Sequence, residues 1–334
     1  TISKTSGRFF AESSLLTNFS IIFNMLSRNQ YLGVVVLPSL DAMLPDWLVF
    51  SLITVILLGL SGVITKYSLK GIKSDALISG SFLVIVSMSA VLLIAYILLK
   101  GLARVDLGYL SIALVSVLLA NLGFFLYFDA LEKGPLTIIG SLTSAYPGLI
   151  VIIAILFLGE TITFFQGTGI VMIIFGIICL LYLHGDDDKS HYPRIALLLG
   201  ILAFLCWSLW GVLCKIALAE IDLALYLGLS CLIMPPLTIS YLKIRTGKAR
   251  LAVPRRLTAP FALAIISIEV EQLGFFSETY SVSLGPASLV FPIVASYPMI
   301  MALLAFWLLK ERLSKIEWLM VSLVIIGLIF VSTI

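Results

Sequence analysis

The stretch Leu-Gly-Phe-Phe at residues 122–125 returns unchanged at residues 273–276, so position 122 maps onto position 273 with an offset of 151. The same offset joins two series of motifs: Gly134-Pro135, Tyr146-Pro147, Glu160 and Gly176 in the first, and Gly285-Pro286, Tyr297-Pro298, Glu311 and Gly327 in the second. A constant offset over so long a stretch indicates internal duplication. Because the duplicated stretches are almost entirely apolar, they predict a repeated set of membrane-spanning helices with a site between two halves.

Composition places the chain in a bilayer. Hydrophobic residues make up 61% of it, charged residues only 12%, and the mean hydropathy is +1.16. Such a chain has too little polar surface to be a water-soluble globular protein. The net charge of +3 is small and its positive residues lie in connectors, so we expect no nucleic-acid partner. The cysteines all fall in apolar runs and are interpreted as small packing residues: Cys179, Cys206, Cys214 and Cys231.

A helix needs roughly 20 mainly apolar residues to cross a bilayer, and the sequence holds ten such runs. The runs lie at 46–69, 75–99, 108–131, 135–158, 163–184, 195–219, 222–242, 258–280, 286–309 and 315–334. Their length and unbroken hydrophobicity predict helices, because lipid offers no partner for an open strand edge. We therefore predict an all-α integral membrane protein with ten transmembrane helices.

A polar linker at 185–194 divides these spans into a first repeat at 46–184 and a second at 195–334. Each repeat holds five spans, and an odd number inverts the second copy relative to the first. We therefore predict two inverted five-helix repeats around a central cavity. Residues 1–45 belong to neither repeat, and we expect an interfacial or disordered extension because Arg28 interrupts its apolar patches.

Lysine and arginine are distributed unevenly among the connectors. The loops after spans 1, 3, 5, 7 and 9 hold nearly all of them, whereas the loops after spans 2, 4, 6 and 8 hold only Lys100 and Arg104. By the positive-inside rule, the first set of loops is cytoplasmic and both ends of the ten-span core lie outside.

One motif series resembles a known family. Ala130-Leu131-Glu132-Lys133-Gly134-Pro135, then Tyr146-Pro147 and Leu158-Gly159-Glu160, with the echo of Gly285-Pro286, Tyr297-Pro298 and Lys310-Glu311, is similar to EamA-type members of the drug/metabolite transporter superfamily. The resemblance covers about residues 46–334. It implies two inverted five-helix repeats and a cavity lined by the first, third and fourth helices of each. Members are commonly drawn with both ends in the cytoplasm, opposite to the charge count.

The resemblance also implies a function. It suggests a transporter, and not an enzyme, in the plasma (inner) membrane that moves small organic solutes, often by exporting amino acids or related metabolites. The duplication is consistent with alternating access, which uses both halves in the same way. The alternatives are an intramembrane enzyme that uses Glu269 or Glu271 as an acid or base, and a non-transporting accessory subunit.

Two lysines occupy equivalent positions in the first helix of each half. Lys66 ends Gly-Val-Ile-Thr-Lys at 62–66, and Lys215 ends Gly-Val-Leu-Cys-Lys at 211–215. Such a lysine facing a cavity would bind a substrate carboxylate or phosphate. The alternative is a lysine near a helix end whose stem lies on apolar surface while its ammonium group reaches the interface.

The eighth predicted span carries two acids at positions where an ionised carboxylate is costly, Glu269 and Glu271. At 100° per residue they point to nearly opposite sides of the helix. One face holds Glu269, Gln272, Phe276 and Tyr280, and its equivalent in the third span holds Leu118, Asn121, Phe125 and Asp129. We predict that this face, including Asn121, Phe125, Asp129, Glu269, Gln272 and Tyr280, lines the cavity. The other face holds Glu271, Gly274 and Glu278, and Glu271 is predicted to pack against helices. Asp129 and Glu278 lie near helix ends, where the alternative for both is a hydrated side chain without a role in the site.

These acids have a second interpretation. A membrane carboxylate can pair with Lys66, Lys215 or a backbone group and only fix the packing of helices. If Glu269 instead gains and loses a proton during transport, it couples transport to protons.

Prolines interrupt the fourth and ninth spans at Pro147 and Pro298, and Pro292 predicts a second break in the ninth. A proline inside a helix frees a carbonyl group, which a membrane protein tolerates only against protein or water. We predict these prolines to be hinges, and the adjacent Tyr146 and Tyr297 to line the cavity with hydroxyl groups and rings. The alternative is that the prolines only bend the helices.

No catalytic constellation is present in the sequence. A nucleotide-binding glycine loop is missing, which argues against direct ATP-driven pumping. His184 and His191 lie near the acids of the polar linker, but their spacing matches no zinc pattern, so we predict neither a metal nor a cofactor. The expected partners are the small-molecule substrate and the lipid bilayer.

Overall fold

The structure is a computed structural model that describes residues 44–68, 72, 74–101, 105–133, 136–183, 194–248, 250–254, 258–309 and 314–333. Within these ranges every regular element is an α-helix. The predicted N-terminal extension, apart from its last two residues, lies outside the described residues, as does the predicted polar linker apart from Arg194.

The described ranges hold thirteen helices, which are numbered in chain order. In the first half they are α1 (Asp46–Ser68), α2 (Ser74–Lys100), α3 (Leu107–Lys133), α4 (Leu136–Thr143), α5 (Tyr146–Phe157) and α6 (Phe164–Leu183). In the second half they are α7 (Arg194–Ala217), α8 (Leu223–Gly228), α9 (Ser230–Thr246), α10 (Ala259–Leu284), α11 (Ala287–Val294), α12 (Tyr297–Leu309) and α13 (Lys315–Val331).

Seven helical stretches of the described residues are long and apolar enough to cross a membrane. They are Asp46–Thr65, Asp75–Lys100, Leu107–Ala130, Arg194–Ala217, Leu223–Thr246, Ala259–Leu284 and Ala287–Leu304. Shorter apolar helices lie at Tyr146–Phe157 and Phe164–Leu180. Large apolar side chains such as Leu98, Phe164 and Trp307 remain exposed, as in a protein surrounded by lipid. These features confirm an all-α, multi-pass membrane protein, and the count of ten spans stays a prediction.

Local sequence explains where several helices begin and end. The hydroxyl of Thr258 accepts a hydrogen bond from the amide of Phe261 and caps the start of α10. Ser314 and Glu317 form a reciprocal capping box at the start of α13. Gly247 ends α9 with a φ of 72°, a left-handed conformation that glycine adopts without strain.

The long helices pack as reciprocal pairs between the two halves. Helix α1, the first of the first half, packs along α10, and α7, the first of the second half, packs along α3. The same exchange pairs α2 with α9 and α6 with α13. Reciprocal pairing is what two copies of one unit show when a two-fold axis relates them. It supports the predicted inverted arrangement, which stays a prediction.

Hydroxyl groups and small residues bring α1 and α10 close together. The Oγ atoms of Ser51 and Ser281 lie 2.7 Å apart, and the hydroxyl of Thr54 donates to the carbonyl oxygen of Gly274 over 3.3 Å. Further along the pair, the hydroxyl of Ser267 donates to the carbonyl oxygen of Ser61 over 2.9 Å. Interhelical hydrogen bonds and close approach of backbones are the main attractions between helices in lipid.

Helices α6 and α13 approach even more closely. A methyl group added to Gly169 would lie 2.6 Å from the carbonyl oxygen of Gly327, and one added to Gly327 would lie 2.8 Å from that of Gly169. The two backbones are therefore in direct contact, which only glycine permits on both sides.

Candidate functional site

Two broken helices lie at equivalent places in the repeats. Helices α4 and α5 are separated by the turn at 144–145, directly before Tyr146 and Pro147, and α11 and α12 by the turn at 295–296, directly before Tyr297 and Pro298. Pro147 lies in the first turn of α5, where its missing amide hydrogen costs nothing. The breaks predicted at Pro147 and Pro298 are thus present.

Pro292 behaves differently. Helix α11 runs through Pro292 to Val294, so the second break predicted there was wrong. Whether any of the three prolines acts as a hinge stays a prediction.

The two breaks bring Tyr146 and Tyr297 within electrostatic range of two acids of α10. Tyr146 interacts electrostatically with Glu278 and Tyr297, and Tyr297 with both Glu271 and Glu278. Tyr127 of α3 interacts with Tyr297 and Glu271. These five residues, Tyr127, Tyr146, Glu271, Glu278 and Tyr297, form what we call the central cluster. It draws together α3, α5, α10 and α12, and thus both halves.

The members of the central cluster are deep in the bundle but not all sealed. Tyr127, Tyr146, Glu271 and Tyr297 are surrounded by protein, yet each keeps part of its surface accessible. Glu278 is more enclosed and only 4% exposed. Polar side chains that keep accessible surface inside a helix bundle can contact a ligand or water. We therefore take this cluster as the candidate site.

Two buried polar atoms at this site lack hydrogen-bond partners among the described residues: Oε1 of Glu278 and Oγ of Ser296. Ser296 lies in the turn between α11 and α12, next to Tyr297. No lysine or arginine of the described ranges forms an ion pair with Glu271 or Glu278. Buried polar atoms are nearly always satisfied, so each of these two atoms could bind a ligand, an ion or a water molecule.

Aromatic rings surround the central cluster. Trp207 of α7 lies 5.3 Å from Tyr127 and 5.9 Å from Tyr146, measured between ring centroids. Phe291 of α11 lies 6.3 Å from Tyr146 and 5.4 Å from Trp210, which stacks at 5.6 Å on Phe275 of α10. Neither Trp207 nor Trp210 was predicted as a site residue from the sequence.

Lys215 lies at one end of this region, and its ammonium group is occupied. Its Nζ donates to the carbonyl oxygens of Val282, at 2.9 Å, and Gly285, at 2.8 Å. These carbonyl groups belong to the last turn of α10 and its cap, where a cation is favourable. Neither prediction for this lysine named these backbone partners, and substrate binding by Lys215 stays a prediction. The side chain of Lys66 lies outside the described residues.

Glu160 caps the start of helix α11 in the other half. Gly159, with a φ of 69°, turns the chain after α5, and the carboxylate of Glu160 then accepts the amide hydrogens of Ala287 and Ser288, each at 2.8 Å. A carboxylate at a helix N-terminus is favoured by the unpaired amides and the helix dipole. Because Glu160 lies in the first half and α11 in the second, this cap joins the two halves.

Asp129 is placed away from the central cluster. Its carboxylate lies 3.0 Å from Nη1 of Arg245 and 3.2 Å from Nζ of Lys133, and it accepts the hydroxyl of Tyr241 at 2.6 Å. Arg245 also pairs with Glu132, and its Nε lies 3.2 Å from Asp75. We call this group of Asp75, Asp129, Glu132, Lys133, Tyr241 and Arg245 the end network, because it lies where α2, α3 and α9 end or begin.

The other residues of the predicted cavity-lining face also lie elsewhere. Phe125 is 2% exposed and packs on Tyr241, with ring centroids 5.0 Å apart. Asn121 is buried and donates to the carbonyl oxygen of Val117 in its own helix at 2.8 Å. The face of α3 that holds these residues therefore contacts α9.

On α10, the predicted face is likewise distinct from the one that carries the central cluster. Tyr280 packs edge-to-face on Phe50 of α1 at 4.6 Å, and Gln272 is buried. Glu269 is partly buried, and no hydrogen bond or ion pair joins it to another described residue. Of the predicted site residues, the structure thus brings together only Tyr146 and Tyr297, and it adds Tyr127, Glu271 and Glu278.

Comparison with known proteins agrees with this architecture. The sequence model of the EamA-like transporter family matches residues 46–182 and again residues 194–333. An uncharacterized protein of Methanocaldococcus jannaschii is 39% identical over 99 residues, which are 29% of this chain and 72% of that protein. A protein crystal structure shares the fold, with a TM-score of 0.66, 17% identity, and coverage of 85% of this chain and 95% of that one. Because the family matches both repeats and most of the chain, this multi-pass membrane protein belongs to the EamA-like transporter family.

Proposed function

We propose that the protein is a secondary transporter that moves a small organic solute by alternating access, with the central cluster as its binding site. One observation carries this proposal. The two equivalent helix breaks, before Tyr146 and Tyr297, both lie near Glu271 and Glu278, which have no ion-pair partner among the described residues. Broken helices with a polar site near the middle of the bilayer, at the interface of two repeats, are the usual construction of secondary transporters.

The arrangement of contacts supports a rocking movement of the halves. Helix α1 packs along α10 and α3 packs along α7, so each of these pairs joins one helix of the first half to one of the second. The cap formed by Glu160 on α11 closes one end of the interface. In the proposed cycle this cap opens when the halves rock about their shared interface, and Pro147, Pro292 and Pro298 keep their predicted role as hinges.

We further propose that the solute is an amino acid or a related metabolite and that transport is outward. The support is the resemblance to EamA-type members, in which such export is common. Export is tested with cells loaded with labelled solute, since cells that contain the protein should lose the label faster than cells that lack it. Equal rates of loss would contradict export.

Proton coupling is proposed as the driving force, with Glu269 as the coupling residue. Glu269 lies in the apolar part of α10 without a paired base among the described residues. Membrane carboxylates of this kind often belong to a proton pathway.

Transport itself is tested with purified protein in liposomes and a panel of labelled amino acids, amines, organic acids and sugars. We expect saturable, protein-dependent uptake of at least one solute, slowed about tenfold in the double variant Tyr146→Phe, Tyr297→Phe. Tyr182→Phe is the matched control because Tyr182 is exposed on α6. Uptake no faster than in protein-free liposomes for the whole panel would overturn transport, and normal uptake by the double variant would overturn the site.

A further inference from the structure

We propose that the transported solute is an organic cation, an amine whose ammonium group binds Glu278 near the charge of Glu271 while its apolar part lies among the surrounding aromatic rings. This inference rests on the proposed function and names the substrate class of the same site. Among the amino acids and related metabolites proposed above, it favours amines that lack a carboxylate over the amino acids themselves.

The first argument is charge. Glu271 and Glu278 lie on one side of α10, seven residues apart, which is two turns or about 10 Å along the axis. Neither forms an ion pair with a described lysine or arginine, and Oε1 of Glu278 lacks any hydrogen-bond partner in the described ranges. A carboxylate in a low-dielectric interior requires a compensating positive group. An ammonium group supplies both the charge and the missing hydrogen-bond donors.

Aromatic rings lie close to these acids. Tyr127, Tyr146, Trp207, Trp210 and Phe291 form an unbroken series of rings in which neighbouring centroids lie 5.3–6.3 Å apart. Aromatic faces attract cations, most strongly those of tryptophan and tyrosine. They also provide apolar surface for the body of an amine.

The third argument concerns the carboxylate of an amino acid. The nearby cation that the structure describes, Lys215, already donates to the carbonyl oxygens of Val282 and Gly285. A bound carboxylate would therefore have to displace Lys215 from the end of α10 or remain unpaired beside two acids. Both alternatives oppose binding.

The third argument gives a direct comparison of solutes. Tyramine and tyrosine share a phenol ring and an amine, but only tyrosine carries the carboxylate, and 3-(4-hydroxyphenyl)propionate carries the carboxylate without the amine. In liposomes with purified full-length protein, we expect tyramine uptake at least about tenfold faster than tyrosine uptake, and no uptake of the propionate.

Variants of the acids test the site. Glu278→Gln and Glu271→Gln should each lower the affinity for tyramine by about tenfold or more, and Glu278→Asp, which keeps the charge, should recover part of it. Glu220→Gln is the matched control because Glu220 is exposed beyond the end of α7. Trp207 and Trp210 offer a binding readout independent of transport, since tyramine should change their fluorescence in the wild type and not in Glu278→Gln.

The outcomes separate the inference from the proposed function. Uptake of tyrosine or of the propionate at the rate of tyramine or faster would overturn the amine assignment and leave transport intact. Undiminished tyramine binding by Glu278→Gln, in protein that elutes as the wild type does in size-exclusion chromatography, would also overturn it. No uptake of any solute of the wider panel would overturn transport and the amine assignment together.

Discussion

The end network and the central cluster are both acidic groups inside the helix bundle, but they are satisfied to different degrees. In the end network, Asp129 has Arg245, Lys133 and Tyr241 as partners within hydrogen-bonding distance. In the central cluster, Glu278 is more deeply buried than Asp129 and has one oxygen with no partner in the described part of the chain. The cost of burying the charge is compensated within the protein in the first case only.

This difference separates two uses of an acid in a membrane. A carboxylate whose partners lie on its own helix and on a neighbouring helix holds the two together, so its loss should be seen in stability. A carboxylate without a partner contributes nothing to stability and is retained for something that binds it. Sequence position alone does not distinguish them, since both lie in apolar spans. The predictions below test whether stability and transport divide along this line.

The largest expected effect is on stability in the end network. Asp129→Asn should lower the free energy of unfolding by about 3 kcal/mol, because Arg245 then loses a partner in a largely buried position. Thermal unfolding in detergent measures this change. Glu278→Gln should unfold at or above the temperature of the wild type. If Asp129→Asn is as stable as the wild type, or if Glu278→Gln is less stable than Asp129→Asn, the proposed difference between the end network and the central cluster is contradicted.

A smaller loss of stability is expected at Lys215. Lys215→Met keeps the length of the side chain and removes the two hydrogen bonds to the end of α10, at a cost of about 2 kcal/mol. Lys215→Arg is the matched control because it keeps the charge. Affinity for the transported solute should stay unchanged in Lys215→Met, as measured by competition for uptake. A large loss of affinity with unchanged stability would instead assign Lys215 to substrate binding.

A still smaller effect is expected from Glu160→Gln. The amide side chain can accept only one of the two amide hydrogens of α11 and carries no charge, so the cap should weaken by about 1 kcal/mol. We expect the halves to separate more often at this end. Cys214, which is fully buried behind Lys215, reports on the opening: a membrane-permeant thiol reagent should modify it several-fold faster in Glu160→Gln.

That labelling experiment uses a background in which Cys179, Cys206 and Cys231 are replaced by serine. Thr163→Ser, a change in the same connector that retains the hydroxyl group hydrogen-bonded to the amide of Gln166, serves as the control. Equal rates of Cys214 modification in all three proteins would show that the cap does not govern access from this end.

The smallest expected change concerns Glu269, which belongs to neither group. Glu269→Gln should transport at nearly the wild-type rate at equal pH on both sides, but should lose the few-fold acceleration that a pH gradient gives a proton-coupled transporter. Solute flux in liposomes with and without an imposed gradient measures this. Unchanged dependence of the flux on the gradient would exclude Glu269 as the coupling residue.

The sequence predicted the helices and their repetition, because apolar length and a constant offset are local and directly readable. It also predicted the breaks before Tyr146 and Tyr297, since proline chemistry acts on the backbone wherever it occurs. It did not predict which side of α10 faces the central cluster. Helical geometry gives the angle between Glu269 and Glu271 but not the direction of either, which depends on the neighbours of the helix.

That direction is set by packing between helices. Ser267, Gly274 and Ser281, each seven residues apart, contact α1 and thereby turn Glu271 and Glu278 toward the tyrosines. This row of small residues was visible in the sequence and would have indicated the face next to α1. The ion pair of Asp129 with Arg245 joins distant parts of the chain, so no pattern in the sequence predicted it.

The direct contact between Gly169 and Gly327 has a mechanical consequence. The carbonyl oxygens of both glycines already contact the opposing backbone, so α6 and α13 cannot move closer. Sliding one helix along the other would make these backbone atoms clash. Tilting about the contact point meets no such obstacle. The contact between Gly169 and Gly327 is therefore suited to serve as a fulcrum, where a small change of the angle between α6 and α13 becomes a larger displacement far from the contact.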